Sequence, residues 1–99
     1  MLFWIAAALA ADPVAGKAVY VANCTACHGI AGDGKGPAAV ALKPKPTDFT
    51  QAAYWATRKD PQVAAAIRSG RPGTAMTGFT QLSDAEVEDV VAYLRTLAK

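Results

Sequence analysis

The chain holds two cysteines and one histidine, and all three fall within one pentapeptide, Cys24-Thr25-Ala26-Cys27-His28. Two thiols with two residues between them, followed at once by an imidazole, form the attachment pattern for a c-type haem. Each thiol adds across one porphyrin vinyl group, and the next residue brings an imidazole nitrogen up to the iron. Other uses of these residues need partners that the chain lacks. A structural zinc site takes four Cys or His ligands, and only three such side chains are present. A thioredoxin-like dithiol sits at a strand-to-helix turn of a βαβ unit, and no alternation of strands runs through the sequence. A Cys24–Cys27 disulfide would leave His28 without a role. The sequence therefore predicts one covalently attached haem c, with Cys24 and Cys27 as its thioethers and His28 as an axial ligand.

An iron bound by one imidazole has a second face to fill. Met76 is the only methionine besides Met1, and it lies in Arg71-Pro-Gly-Thr-Ala-Met-Thr-Gly-Phe79. Methionine also serves as a pliable filler of apolar cores, but a Gly/Pro-rich loop between two helices is a poor place for that. A thioether on the second face raises the reduction potential and favours electron transfer over oxygen chemistry. Met76 is thus the expected second axial ligand.

The elements that position these groups are helical. Asp12-Pro13 gives a capping carboxylate followed by a proline whose missing N–H was free anyway. The helix it starts runs to about Asn23, with Val14, Ala18 and Val21 on one side and Gly16 and Tyr20 spaced four apart. A small residue at Gly16 would let another helix approach closely. Between Gly29 and about Thr50, four glycines and three prolines break every periodic pattern. A loop of that length needs a partner to wrap around, and a haem supplies one. Gln51 to Thr57 is expected as a short helix carrying Tyr54 and Trp55. Asp60-Pro61 starts another, with Val63, Ala64 and Ile67 as its apolar stripe and Ser69-Gly70 as its stop. Ser83 and Glu86 form a capping box, and Val87, Val90, Val91, Leu94 and Leu97 line one face of a closing helix. Asp84 and Glu86 at its start and Arg95 and Lys99 at its end suit the helix dipole.

Composition limits what the domain can be. Ninety-nine residues make one small domain, near the size at which an apolar core alone gives marginal stability. With 53% hydrophobic and 18% charged residues the chain is not a disordered tail, and a net charge of +2 is too small to point to nucleic acid. That charge is unevenly spread: eight basic residues against three acidic between Lys17 and Arg71 give +5, and four acidic against two basic from Asp84 to Lys99 give −2. Residues 1–11 are an unbroken apolar run. As a helix they would extend about 16 Å, roughly half of a bilayer core, so the run is too short to span. Its length and Ala8-Leu9-Ala10 suit the apolar region and cleavage site of an export signal, although no Lys or Arg precedes it. A retained hydrophobic foot is the alternative. The expected division is therefore an apolar segment over 1–11 and a haem domain over 12–99.

From about Asp12 to Leu97 the chain resembles the class I cytochromes c, small mono-haem electron carriers. Cys24-x-x-Cys27-His28 matches their attachment motif, and Pro72-Gly-Thr-Ala-Met76 resembles their methionine-ligand loop. Gly16 and Tyr20 stand where the family's first and last helices cross, with Val90 and Tyr93 facing them. The Gly-Asp-Gly-Lys-Gly-Pro run and Asp48-Phe49-Thr50 are similar to bacterial members. The resemblance implies an all-α cytochrome c fold of about four short helices with long loops around one haem. It implies that the Pro37 carbonyl accepts a hydrogen bond from His28. It also implies that Trp55, or else Tyr54 or Arg58, reaches a haem propionate. The function implied is outer-sphere electron transfer as the iron cycles between Fe(II) and Fe(III), with no substrate transformed as in an enzyme, in a monomer exported to the periplasm. Its partners would be redox proteins, steered as acidic surfaces by Lys35, Lys43, Lys45 and Arg71 near the exposed haem edge. Two alternatives accompany this reading: a haem domain docked on a membrane oxidoreductase through residues 1–11, and a ligand sensor or peroxidase-like enzyme in which Met76 leaves the iron.

Overall fold

The computed structural model describes residues 10–99, so the apolar run lies almost wholly outside the described residues. Five α-helices follow in order: α1 Pro13–Asn23, α2 Thr25–His28, α3 Ala52–Thr57, α4 Asp60–Ser69 and α5 Asp84–Arg95, with a 3-10 turn over Ala39–Ala41. The only β-type pairing among the described residues is one antiparallel bridge, Gly70 to Thr77. The fold is all-α, as the sequence implies, with α2 a single turn. None of the described helices is long and apolar enough to cross a membrane.

The frame is the crossing of α1 on α5. Asp12 caps α1 by accepting the Val14 N–H at 2.9 Å, and its own N–H donates to the Asp89 carboxylate at 2.8 Å. Gly16 is buried at the crossing, where a Cβ would overlap the Asp89 carbonyl oxygen and come within 3.0 Å of the Tyr93 Cβ. Tyr20, one turn on, is fully buried, with its ring 5.4 Å from that of Tyr93. The stripe of Val14, Ala18 and Val21 points away: Val14 is 80% exposed and Val21 48%. Close backbone approach at glycine, not the larger apolar stripe, decides which face of α1 is buried.

The caps of α5 form as the sequence predicts. The Ser83 hydroxyl accepts from the Glu86 N–H at 3.1 Å, and the Glu86 carboxylate accepts from the Ser83 N–H at 2.9 Å. Val87, Val90, Val91 and Leu94 are buried, while the helix ends at Arg95 and Leu97 packs on the core from beyond it. In α4 the start is one residue earlier in role than expected. Lys59 is the N-cap, and the Asp60 carboxylate pairs with Arg95 across on α5 instead of capping. Val63, Ala64 and Ile67 face the core, and Gly70 closes the helix at φ +79°. That left-handed conformation suits glycine, and the Met76 carbonyl oxygen lies 2.7 Å from where a Cβ would stand.

Candidate haem site

Helix α1 delivers the pentapeptide. The Cys24 N–H donates to the Tyr20 carbonyl at 2.8 Å, and the single turn α2 carries Cys27 and His28 with the His28 N–H on the Cys24 carbonyl at 2.9 Å. The Tyr20 hydroxyl reaches past this turn to the Gly29 carbonyl, so the fully buried ring at the α1/α5 crossing also fixes the residue after His28. Both cysteines are free and half-buried. Burial, and then the neighbouring Cys27, push the Cys24 thiol up to about 11. Burial pulls His28 below its ordinary value, against the opposing pull of the Thr47 carbonyl. A neutral imidazole with one nitrogen engaged by a carbonyl keeps the other free for a metal.

That carbonyl belongs to Thr47, 3.1 Å from His28 Nδ1, and not to Pro37. Gly36 is buried against the Thr25 and Ala26 carbonyls, with no room for a Cβ, and its N–H donates to the Cys27 carbonyl at 3.1 Å. Pro37 then turns outward and is exposed. The acceptor comes instead from the segment that follows Pro46. The Phe49 N–H donates to the Gly32 carbonyl at 2.7 Å, and the Phe49 ring stacks on His28 with centroids 4.7 Å apart and planes 30° apart. The Asp48 carboxylate accepts the Thr50 N–H at 2.9 Å and the Thr50 hydroxyl, closing a turn just after Thr47.

A second stretch of chain runs from α4 through the Met76 loop. The Gly70–Thr77 bridge closes this loop. Within it the Arg71 N–H donates to the Met76 carbonyl at 3.1 Å, the Thr74 N–H and hydroxyl both donate to the Arg71 carbonyl, and the Met76 N–H donates to the Thr74 hydroxyl at 3.1 Å. The Phe79 N–H then returns to the Ile67 carbonyl at 2.8 Å. Met76 is half-buried and packs on the core.

The two stretches line one cleft of about 320 Å³. Cys24, Cys27, His28 and Met76 all face it, among apolar groups that include Leu42, Ile67 and Phe79. Two cations, Lys45 and Arg71, also line it, and no acid does. Two thiols, an imidazole, a thioether and an apolar wall are the donor set that a covalently attached porphyrin would need, with Lys45 as a cation for one of its carboxylates. The residues fit the group.

Three expected contacts are elsewhere. Trp55 is buried, its indole N–H donates to the Phe49 carbonyl at 2.9 Å, and the Arg95 guanidinium lies over its ring at 4.8 Å. Tyr54 packs edge-on to both Phe49 and Trp55. Arg58 lies over the Tyr54 ring at 5.1 Å and donates to the Thr57 hydroxyl. None of the three lines the cleft, because α3 turns its aromatic pair back onto Phe49. Lys45 and Arg71, expected near the haem edge, line the cleft, as do Thr47, Ile67 and Phe79, to which the sequence assigns no part in the site. The Asp48 turn after Pro46 was the one local signal for Thr47.

Residues 13–98 match the family model for cytochrome c, and the chain belongs to that family. It is a class I c-type cytochrome, a mono-haem electron carrier with covalently bound haem c. Among known relatives it is 35% identical over 88 residues to cytochrome c6 of Synechocystis sp., covering 88% of this chain and 67% of that protein. Among solved structures, a chain of the Kuenenia stuttgartiensis reducing HAO-like protein complex superposes with a TM-score of 0.75 at 26% identity, over 85% of this chain and 41% of that one. The KustC0563 c-type cytochrome gives a TM-score of 0.72 at 26% identity, over 85% of this chain and 98% of that one. The dihydro-heme d1 dehydrogenase NirN gives 0.65 at 34% identity, over 82% of this chain and 16% of that one.

Proposed function

We propose that this cytochrome carries electrons with His28 and Met76 as the two axial ligands of a haem held by Cys24 and Cys27. The single observation that carries the reading is that all four side chains line one cleft. Haem c supplies an iron that alternates between Fe(II) and Fe(III), and everything else is positioning by this chain. Cys24 and Cys27 hold the porphyrin from one helical turn. Thr47 fixes the orientation of the His28 ring through Nδ1, which raises the basicity of the other nitrogen. The hydrogen-bonded loop of Arg71, Thr74 and Met76 presents the thioether, a ligand that raises the potential. Leu42, Ile67 and Phe79 line the cleft with apolar surface, which would keep water from the bound group. No substrate bond is made or broken. His28 is the only histidine in the chain, so no second imidazole is at hand to assist cleavage of a peroxide.

Visible spectra of the oxidised and reduced holoprotein, with and without CO, test the ligand set. A methionine–iron charge-transfer band and indifference to CO support it. Rapid CO binding without that band would make the sensor or enzyme reading the better one.

Redox proteins with acidic surfaces are the partners this reading assigns, since Lys35, Lys43 and Lys45 are exposed in the net-basic part of the chain. Electron-transfer rates with such a partner should fall as salt is added. Residues 12–99 are the haem domain of this proposal, and residues 1–11 act as an export signal that places it in the periplasm. Sequencing the mature N-terminus distinguishes a start at Ala11 from a retained Met1 on washed membranes, which would favour docking on a membrane oxidoreductase.

A further inference from the structure

The cleft has two walls, residues 24–50 and residues 70–79, and iron ligation by His28 and Met76 would span them. Among the described residues, one hydrogen bond joins these two stretches: Arg71 Nη1 to the Thr47 hydroxyl, at the long limit of 3.5 Å. Both of its ends are placed for a purpose. Thr47 is the residue whose carbonyl holds His28. Arg71 is the residue whose backbone N–H and carbonyl organise the loop through Met76 and Thr74. The guanidinium therefore connects the support of one ligand to the support of the other.

We infer that Arg71 is a positioning residue, a strap that holds the Met76 loop against the Thr47 segment and slows the opening through which the thioether leaves the iron. This rests on the His28/Met76 reading above. The physical case is one of leverage. Each loop is internally bonded, so the loops move as units, and the contact between them sets how often they part. A single contact to a charged donor is a modest restraint at an exposed site, and a modest effect on opening is what it predicts.

The test is the rate at which imidazole binds the ferric holoprotein, a reaction that waits on departure of the thioether. Arg71→Gln and Thr47→Val each remove one end of the strap, and Thr47→Val keeps the carbonyl that serves His28. Each is expected to raise the rate about threefold, with the double variant no faster than either single one, since both cut the same contact. Thr47→Ser should restore the wild-type rate. Ser83→Ala, which removes the α5 cap far from the cleft, should lower the melting temperature without changing the imidazole rate. That separates a strap from general loosening. An unchanged rate in Arg71→Gln overturns the proposal. So does acceleration in Arg71→Gln but not in Thr47→Val, which would place the guanidinium on a haem carboxylate instead. Wild-type protein lacking the charge-transfer band would overturn the ligand assignment and the strap with it, whereas a normal band with an unaltered Arg71→Gln rate removes the strap alone.

Discussion

The α1/α5 crossing and the haem cleft are held by different means. At the crossing, buried apolar groups meet across helices: Tyr20, Val87, Val90 and Leu94 are all 3% exposed or less, and Gly16 admits the Asp89 backbone. The cleft is held by backbone bonds aimed at particular carbonyls, such as Phe49 to Gly32, Gly36 to Cys27 and Phe79 to Ile67. Packing of the first kind is non-directional and cooperative. Bonds of the second kind set the direction of single groups. The frame should therefore govern whether the protein folds, and the loops should govern what the iron sees.

The largest expected effect is at the frame. Gly16→Val puts a branched side chain into the Asp89 carbonyl and should destabilise the holoprotein by about 3 kcal/mol. Denaturant unfolding measures the loss, and the visible spectrum of the remaining folded protein should be unchanged. A ligand change in the folded state would break the division between frame and cleft. Trp55→Phe sharpens it. Because the indole N–H serves the Phe49 carbonyl, this variant should lose about 2 kcal/mol while binding haem normally. Weakened haem binding there would return Trp55 to the propionate role.

Tyr20→Phe probes a side chain that serves both regions. Its hydroxyl serves the Gly29 carbonyl, and leaving that acceptor without a partner should lessen stability by roughly 1–2 kcal/mol, read by thermal unfolding. The smallest effect is at Asp48, whose carboxyl is held below its ordinary value by the Thr50 hydroxyl first, with burial opposing and the Thr50 N–H and Gln51 adding to the lowering. A depressed carboxylate contributes stability above its unfolded value of about 3.9, and that contribution is lost as pH falls through the lower folded value. Asp48→Asn should therefore lower stability slightly at neutral pH, where the contribution is fully present, leave it nearly unchanged in acid, and so flatten stability against pH on the acid side.

Much of the frame was legible because its signals are local. Ser83 and Glu86 cap α5, Gly70 ends α4, and Asp12 starts α1 within a few residues of where each acts. The attachment pentapeptide was equally readable, since it depends on residue type and short spacing, and the loop around Met76 lies between α4 and α5 where the sequence put it. The acceptor for His28 was not. Choosing Thr47 over Pro37 depends on how Gly32 and Phe49 fold the long loop back on itself, nineteen residues from the imidazole in sequence. The same applies to Trp55, whose N–H could have met a haem carboxylate or a backbone carbonyl. Only the packing of α3 on Phe49 decides between them. The buried face of α1 shows the limit from the other side: periodicity found two stripes, and the close approach of Asp89 to Gly16 selected the smaller one.

The most direct test of the central claim is nuclear magnetic resonance of the reduced holoprotein with its methionines labelled at the methyl carbon. The Met76 methyl resonance is expected far upfield, shifted by the porphyrin ring current, and absent in Met76→Leu. A Met76 methyl at the ordinary position of a free thioether would contradict it.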